Sequence, residues 1–201
     1  QPGEPADSGF KEKVHHRAYP CADFGGLVFA YMGPGEPPLL PRYEFLTVPA
    51  RSRFVSKFHH DCNYLQSNEG NIDPQHLSFL HRMLEGDARE EHIVGSTNTP
   101  NDFFGSDETP VIEVEETDFG LRIFAVRGDG PAAEYVRISN FIYPNLAAFP
   151  GRFPSGYGVN WHVPIDDTHH WKYSFTFDRT GPIDMSVPTQ QWLAGVEGYH
   201  H

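Results

Sequence analysis

From residue 110 onward, apolar and polar positions alternate. Residues 111–116 (VIEVEE) read this way, and 121–127 (LRIFAVR), 134–141 (EYVRISNF), 158–163 (GVNWHV) and 170–177 (HWKYSFTF) follow with turns at roughly regular intervals. Period-two alternation puts one face of each segment on a core, so this half of the chain predicts an antiparallel meander. Upstream, 53–60 (RFVSKFHH) also alternates and predicts a strand. Residues 62–66 and 74–84 predict helices, separated by the turn-rich break Ser67-Asn68-Glu69-Gly70-Asn71. Nearer the start, 13–19 predicts a strand, Gly25-Gly26 a turn and 27–32 a buried strand. The run 33–41 (GPGEPPLLP) predicts a linker, and residues 1–10 an extended entry. A strand, then helices, then a run of strands predicts an α+β fold. A domain boundary is expected at Pro41, dividing 1–41 from 42–201. The chain shows no internal repeat.

Composition narrows the function classes. The net charge of −12 over 201 residues argues against a nucleic-acid partner and against docking to anionic membranes, because phosphates would be repelled. With 14% aromatic residues the chain can fill a core or line an apolar pocket. Cys21 and Cys62 are the only cysteines and have no paired spacing, which argues against a disulfide framework, a zinc ribbon or an iron–sulfur cluster held by this chain alone. The opening residues do not read as a signal peptide, and no apolar run reaches membrane-spanning length. A soluble, cytoplasmic protein is expected.

The strongest chemistry lies in residues 63–81, NYLQSNEGNIDPQHLSFLH. Asp73-Pro74 predicts a helix start, with Asp capping free amides and Pro at the first helical position. His76 then falls in the first turn and His81 five residues on. Five residues of α-helix rotate by about 140°, so the two imidazoles share one ion only if the helix departs from α geometry between them. Two His suit Fe(II), Zn(II) or Cu(II) alike; adding one carboxylate on the same face favours Fe(II) with open positions. Equally, Asp73 could be only a cap and His81 a solvent-facing residue. The HExxH zinc-protease pattern is absent.

The same string resembles the Asp-x2-His-x4-His segment of Rieske-type aromatic-ring oxygenases, large subunit, in their phthalate dioxygenase-like branch. The resemblance extends to 53–66 (RFVSKFHHDCNYLQ), to 14–33 and to 161–171 (WHVPIDDTHHW). It implies a helix-grip, START-like catalytic domain: an antiparallel sheet wrapped around helices. It implies a mononuclear Fe(II) held by His76 and His81. Asp73 would bind no iron; it would hydrogen-bond toward a ligand His and carry electrons from the [2Fe–2S] cluster of a neighbouring subunit. The implied activity uses O₂ to hydroxylate or demethylate an aromatic substrate. The implied partners are a reductase or ferredoxin and further copies of the chain in a homotrimer. Two departures matter. The Cys-x-His…Cys-x-x-His cluster ligands are absent, so 1–41 would be the trailing strands of that module. No Asp matches the third iron ligand, so the chain reads as an internal piece, inactive alone.

Other residues are open to two readings. Phe153 and Tyr157 are candidates to line a substrate mouth, with Asn63 and Trp161 as further pocket candidates and His162 beside them; packing explains them equally well. His15-His16, His59-His60, His169-His170 and His200-His201 are adjacent pairs. On a strand, neighbours face opposite ways, so each pair should put one ring inward and one outward. Cys62 is expected to be a small buried residue. The competing functions are an apolar-ligand-binding module without redox chemistry and a zinc hydrolase.

Overall fold

The computed structural model describes residues 3–5, 7–80, 108–128, 135–150 and 155–186. The chain divides into two compact units, Gln1–Thr47 and Val48–His201.

In the first unit, α1 (Phe10–Lys13) is a single turn and β1 (Cys21–Phe24) pairs antiparallel with β2 (Leu27–Ala30). Phe24 lies opposite Leu27, so Gly25 and Gly26 make a two-residue turn, with φ of 67° and 85°. Both values favour glycine. Gly25 is doubly required, because a Cβ there would come within 2.9 Å of the backbone of Leu46, in the short helix α2 (Glu44–Thr47). The strand expected at 13–19 is not formed: Lys13 ends α1 and residues 14–20 have no regular structure, with no strand partner among the described residues. The buried strand expected at 27–32 ends at Ala30, and Val28 is 74% exposed. A two-stranded hairpin has too little sheet to bury both faces.

Among the described residues the second unit is built on a seven-stranded antiparallel sheet. It contains β3 (Arg53–His60), β4 (Val111–Thr117), β5 (Gly120–Arg127), β6 (Tyr135–Ile142), β7 (Leu146–Pro150), β8 (Tyr157–Pro164) and β9 (His170–Phe177), in the order β3-β9-β8-β7-β6-β5-β4. The meander expected after residue 110 is therefore present, and the first strand, β3, closes onto the last. Sequence reading passed over β7, whose Leu-Ala-Ala-Phe-Pro lacks alternation and is poor in β-branched residues. Its residues Leu146, Ala147 and Ala148 are all buried, so both faces are covered.

Two helices follow β3. Helix α3 (Tyr64–Ile72) packs against β6, β7 and β8, and α4 (Leu77–Leu80) is one turn. The break expected at 67–71 lies inside α3. Asn63 caps its start by accepting the Leu65 amide at 2.9 Å, and Asn71 donates back to the Ser67 carbonyl at 2.7 Å. Asn71 also meets Asn160 and His162 on β8, so contacts to the sheet override local turn preference. The true break is Asp73–His76, and the helix expected from 74 begins at Leu77. Residues 81–84 lie outside the described residues. No described helix is long and apolar enough to cross a membrane.

The apolar core includes Ile123, Ala125, Leu146, Val159, Phe175 and Phe177, with Leu77 from α4. Val159 and Phe175 are direct cross-strand partners, 0% and 1% exposed. Truncating such an aromatic side chain removes transfer energy and leaves a cavity. Phe175→Ala should therefore lower unfolding free energy by about 3–5 kcal/mol, read from urea or guanidinium unfolding. A loss below about 1 kcal/mol would contradict this packing.

Candidate active site on the turn between two helices

Asp73 ends α3: its amide donates to the Glu69 carbonyl at 2.9 Å. Its side chain turns the chain toward α4, with Oδ1 accepting the Gln75 amide at 2.8 Å. The carboxylate thus accepts a backbone amide as the sequence implied, but at the exit of one helix rather than just before the first residue of the next. His76 closes this turn, its carbonyl accepting the Phe79 and Leu80 amides. His76 Nδ1 lies 3.7 Å from Asp73 Oδ2, and the His76 side chain is 22% exposed. A closure of about 0.5–1 Å makes that contact a hydrogen bond. A carboxylate beside Nδ1 fixes the ring and leaves Nε2 for a metal. The donor set of this turn therefore fits an ion held through His76. His81 lies outside the described residues, as does Phe153.

The turn is tied to the sheet by a side chain that sequence reading missed. Arg127, at the end of β5 and 0% exposed, donates through Nη2 to the Pro74 carbonyl at 2.7 Å and the Ser78 hydroxyl at 3.3 Å. Arg137 stands diagonally beside it: Ala125 faces Arg137 and Arg127 faces Tyr135 in the β5–β6 ladder, placing both guanidiniums on one face. Arg137 is 6% exposed, and its Nη1 has no hydrogen-bond partner among the described residues. Burial pulls its pKa below the ordinary value, with Tyr135 opposing. The signal was present in sequence: Arg127 is in phase with Ile123 and Ala125, a charge at inward positions of an alternating strand. Asn68, on α3 and 1% exposed, also has no partner for either amide atom among the described residues.

The other pocket candidates sit elsewhere. Asn63 is at the opposite end of α3 from Asp73, and its amide donates to the Asp167 carbonyl at 2.9 Å. Tyr157 meets the Phe177 ring edge-on, centroids 4.7 Å apart, under the Arg179 guanidinium. Trp161 donates to Asn145 Oδ1 at 3.0 Å. It points away from the face of β8 that carries Asn160 and His162.

That face holds a buried polar chain. Asn160 donates to Asn71 Oδ1, and the Asn71 amide nitrogen lies 2.9 Å from His162 Nε2. His162 Nδ1 is 3.1 Å from His170 Nε2, and His170 Nδ1 is 2.8 Å from the Cys62 carbonyl. One tautomer set satisfies the chain: Asn71 donates to His162, His162 to His170, and His170 to the carbonyl. The inward-outward expectation for paired histidines holds for two pairs, with His60 more covered than His59 and His170 than His169. Burial, then the charges of His170, Lys172 and His60, push the His162 pKa down to about 3. Burial, then Lys172, His170 and His59, push His60 down to about 4 against Asp61.

Comparison with known proteins defines the class. A match to the family described as LigXa C-terminal domain like covers residues 30–194. The phthalate 4,5-dioxygenase oxygenase subunit of Pseudomonas putida is 35% identical over 94% of this chain and 43% of its own length. The tert-butanol monooxygenase / tert-amyl alcohol desaturase oxygenase subunit of Aquincola tertiaricarbonis is 32% identical over 84% of this chain and 37% of its own. Among solved structures, the oxygenase of the carbazole 1,9a-dioxygenase oxygenase–ferredoxin complex aligns with TM-score 0.51 at 19% identity, over 90% of this chain and 50% of that one. That likeness is one of fold. The antiparallel sheet with its helices on one face is the helix-grip architecture. The chain belongs to the LigXa C-terminal domain-like family, among the catalytic domains of Rieske-type oxygenases. It spans less than half the length of the two relatives named. These findings do not favour a zinc hydrolase or a ligand-binding module without redox chemistry.

The pH dependence of stability follows from the buried rings. In the fold, His162 and His60 accept a proton only at about 3 and about 4, against the ordinary histidine value of 6.5. Below 6.5 the unfolded chain binds more protons, so stability is fully present above that pH and is lost as pH falls toward 4 and then 3. In metal-free protein the urea midpoint should drop steadily between pH 7 and pH 4.5, roughly, and His162→Gln should flatten the slope. A midpoint independent of pH across that window would contradict neutral buried rings.

Proposed function

We propose that this chain is the catalytic part of a Rieske-type oxygenase that uses O₂ and a mononuclear Fe(II) to hydroxylate or demethylate an aromatic substrate bearing an acidic group. The observation that carries the reading is the Asp73–His76 turn, held against a sheet face by a buried arginine. When bound, the iron supplies the centre at which O₂ is activated; His76 and His81 would be its imidazole ligands. Every other task falls to the chain itself. Asp73 orients His76 through Nδ1 and raises its basicity as a ligand. Arg127 holds the Pro74 carbonyl and Ser78, keeping the turn in place. Arg137 offers a buried cation for a carboxylate. Of the two relatives named above, phthalate is a dianionic aromatic and tert-butanol a neutral alcohol; a buried guanidinium with an open Nη1 fits the first chemistry.

In this reading residues 1–41 are the last strands of the cluster-bearing module, and 42–201 are the iron domain. The compact division after Thr47 supports a boundary in that region. The whole protein supplies the [2Fe–2S] cluster, takes electrons from a ferredoxin or reductase, and works in the cytoplasm as a homotrimer. Electrons pass between subunits by way of Asp73. The carbazole relative, solved with its ferredoxin, supports the electron donor.

Two substitutions in the full-length enzyme test this. Asp73→Asn keeps an oxygen to accept the Gln75 amide but removes the charge. Iron content and thermal midpoint should stay, while single-turnover oxygenation falls by about 10–100-fold. A surviving rate makes Asp73 only a cap. Arg137→Gln should raise KM for an aromatic carboxylate by about tenfold or more and leave KM for its neutral amide unchanged. Equal effects on both substrates would remove the acidic-substrate assignment.

A further inference from the structure

His60 and His170 are direct partners in the β3–β9 ladder, and their ring centroids lie 4.9 Å apart. Both share the sheet face of Asn160 and His162. Two residues after His60 the chain leaves β3 and carries Cys62 over the same corner. Its carbonyl takes the His170 Nδ1–H at 2.8 Å, which fixes the proton on Nδ1 and leaves Nε2 as the ring's acceptor and ligand atom. A carbonyl-held ring N–H is how metal-binding imidazoles are commonly oriented. The ligand atoms of His60, Cys62 and His170 all lie within 4.8 Å of one another. His162 Nδ1 stands 3.1 Å from His170 Nε2. That is close to the separation of about 3.3 Å between two nitrogens in a tetrahedral shell with bonds of about 2.0 Å.

We propose that His60, Cys62 and His170 form a second metal site, with His162 as fourth donor, for a soft closed-shell cation, Zn(II) or Cu(I). Imidazoles joined by a thiolate select such ions over the hard, oxygen-seeking ones, and the group contains no carboxylate. Three donors come from β3, β8 and β9, and half-buried Cys62, whose Sγ lies 3.5 Å from Ser67 Oγ, would exchange that contact for the metal. Lys172 lies on the same face, two residues from His170, with its ammonium over the Phe58 ring at 5.2 Å. Its charge opposes a bound cation, and the Cys62 thiolate offsets it: a Cu(I) centre is neutral and a Zn(II) centre carries one positive charge. The site does not share ligands with the iron turn. Cys62 precedes the start of α3 and Asp73 follows its end, and a helix of nine residues is about 14 Å long.

The competing description is the hydrogen-bonded chain alone. The two use the same nitrogen, His170 Nε2, so they exclude each other. Metal binding at His162 Nδ1 moves the ring proton to Nε2 and gives up the Asn71–His162 hydrogen bond, while Asn71 keeps its bonds to the Ser67 carbonyl and Asn160.

The test uses the iron-loaded full-length protein, stripped of other metals by a chelator and titrated separately with Zn(II), with Cu(I) under anaerobic conditions, and with Co(II) as an optical probe. One equivalent of Zn(II) or Cu(I) beyond the iron should bind, and Co(II) should give a thiolate-to-metal charge-transfer band. Cys62→Ser should abolish the band and Cys21→Ser keep it. His170→Gln should weaken binding by about tenfold or more. His76→Ala should lose iron and keep the second metal, which separates this site from the function proposed above. Absence of the band in wild-type protein, or its survival in Cys62→Ser, overturns the proposal and leaves the hydrogen-bonded chain. Because the band is read first in wild-type protein, a variant that fails to fold does not decide the question.

Discussion

A fully buried guanidinium, that of Arg127, reaches from the end of β5 to the Pro74 carbonyl and the Ser78 hydroxyl. This contact fixes where the turn between α3 and α4 sits on the sheet. A carbonyl at a helix break has lost its intrahelical partner, and a charged donor supplies the replacement. Without it the turn would have only the Asp73 cap and the short α4 to hold it. One turn of helix has little stability of its own. His76 is held at the spot because the sheet holds Pro74.

The inner face of the sheet is polar where α3 and its exit turn lie on it, carrying Arg127, Arg137, Asn160, His162 and His170 beside Ile123 and Ala125. An all-apolar face would fold more simply. Buried polar groups cost free energy unless hydrogen-bonded, and most of these are: His162 and His170 by each other, Asn71 and the Cys62 carbonyl, Arg127 by the turn. Arg137 Nη1 on this face, and the Asn68 amide of α3 above it, have no partner among the described residues. Departures from an apolar interior gather where function is expected, since a folding sequence otherwise keeps its levels consistent.

Local pattern made much of this legible. Strands β4, β5, β6, β8 and β9 were legible from their largely alternating apolar and polar residues. The Gly25-Gly26 turn follows from two positions at positive φ. What escaped were features set by distant contacts. Helix α3 runs through Ser67–Asn71, a turn-like string, because Asn71 finds two partners on β8, about ninety residues away. β7 was hidden because burial on both faces removes alternation. The Asp-x2-His spacing revealed the candidate site. The meeting of His60 with His170 depended on the β3–β9 register, which no local window contains.

The central claim is that the sheet, through Arg127, positions the histidine turn for iron. Arg127→Met in the full-length protein tests it most directly, because Met approximates the side-chain volume without the donors. The measured quantities are Fe(II) affinity and thermal midpoint. The account predicts iron affinity lower by about tenfold or more with the cooperative unfolding transition retained. Unchanged iron affinity in a folded Arg127→Met protein would contradict it.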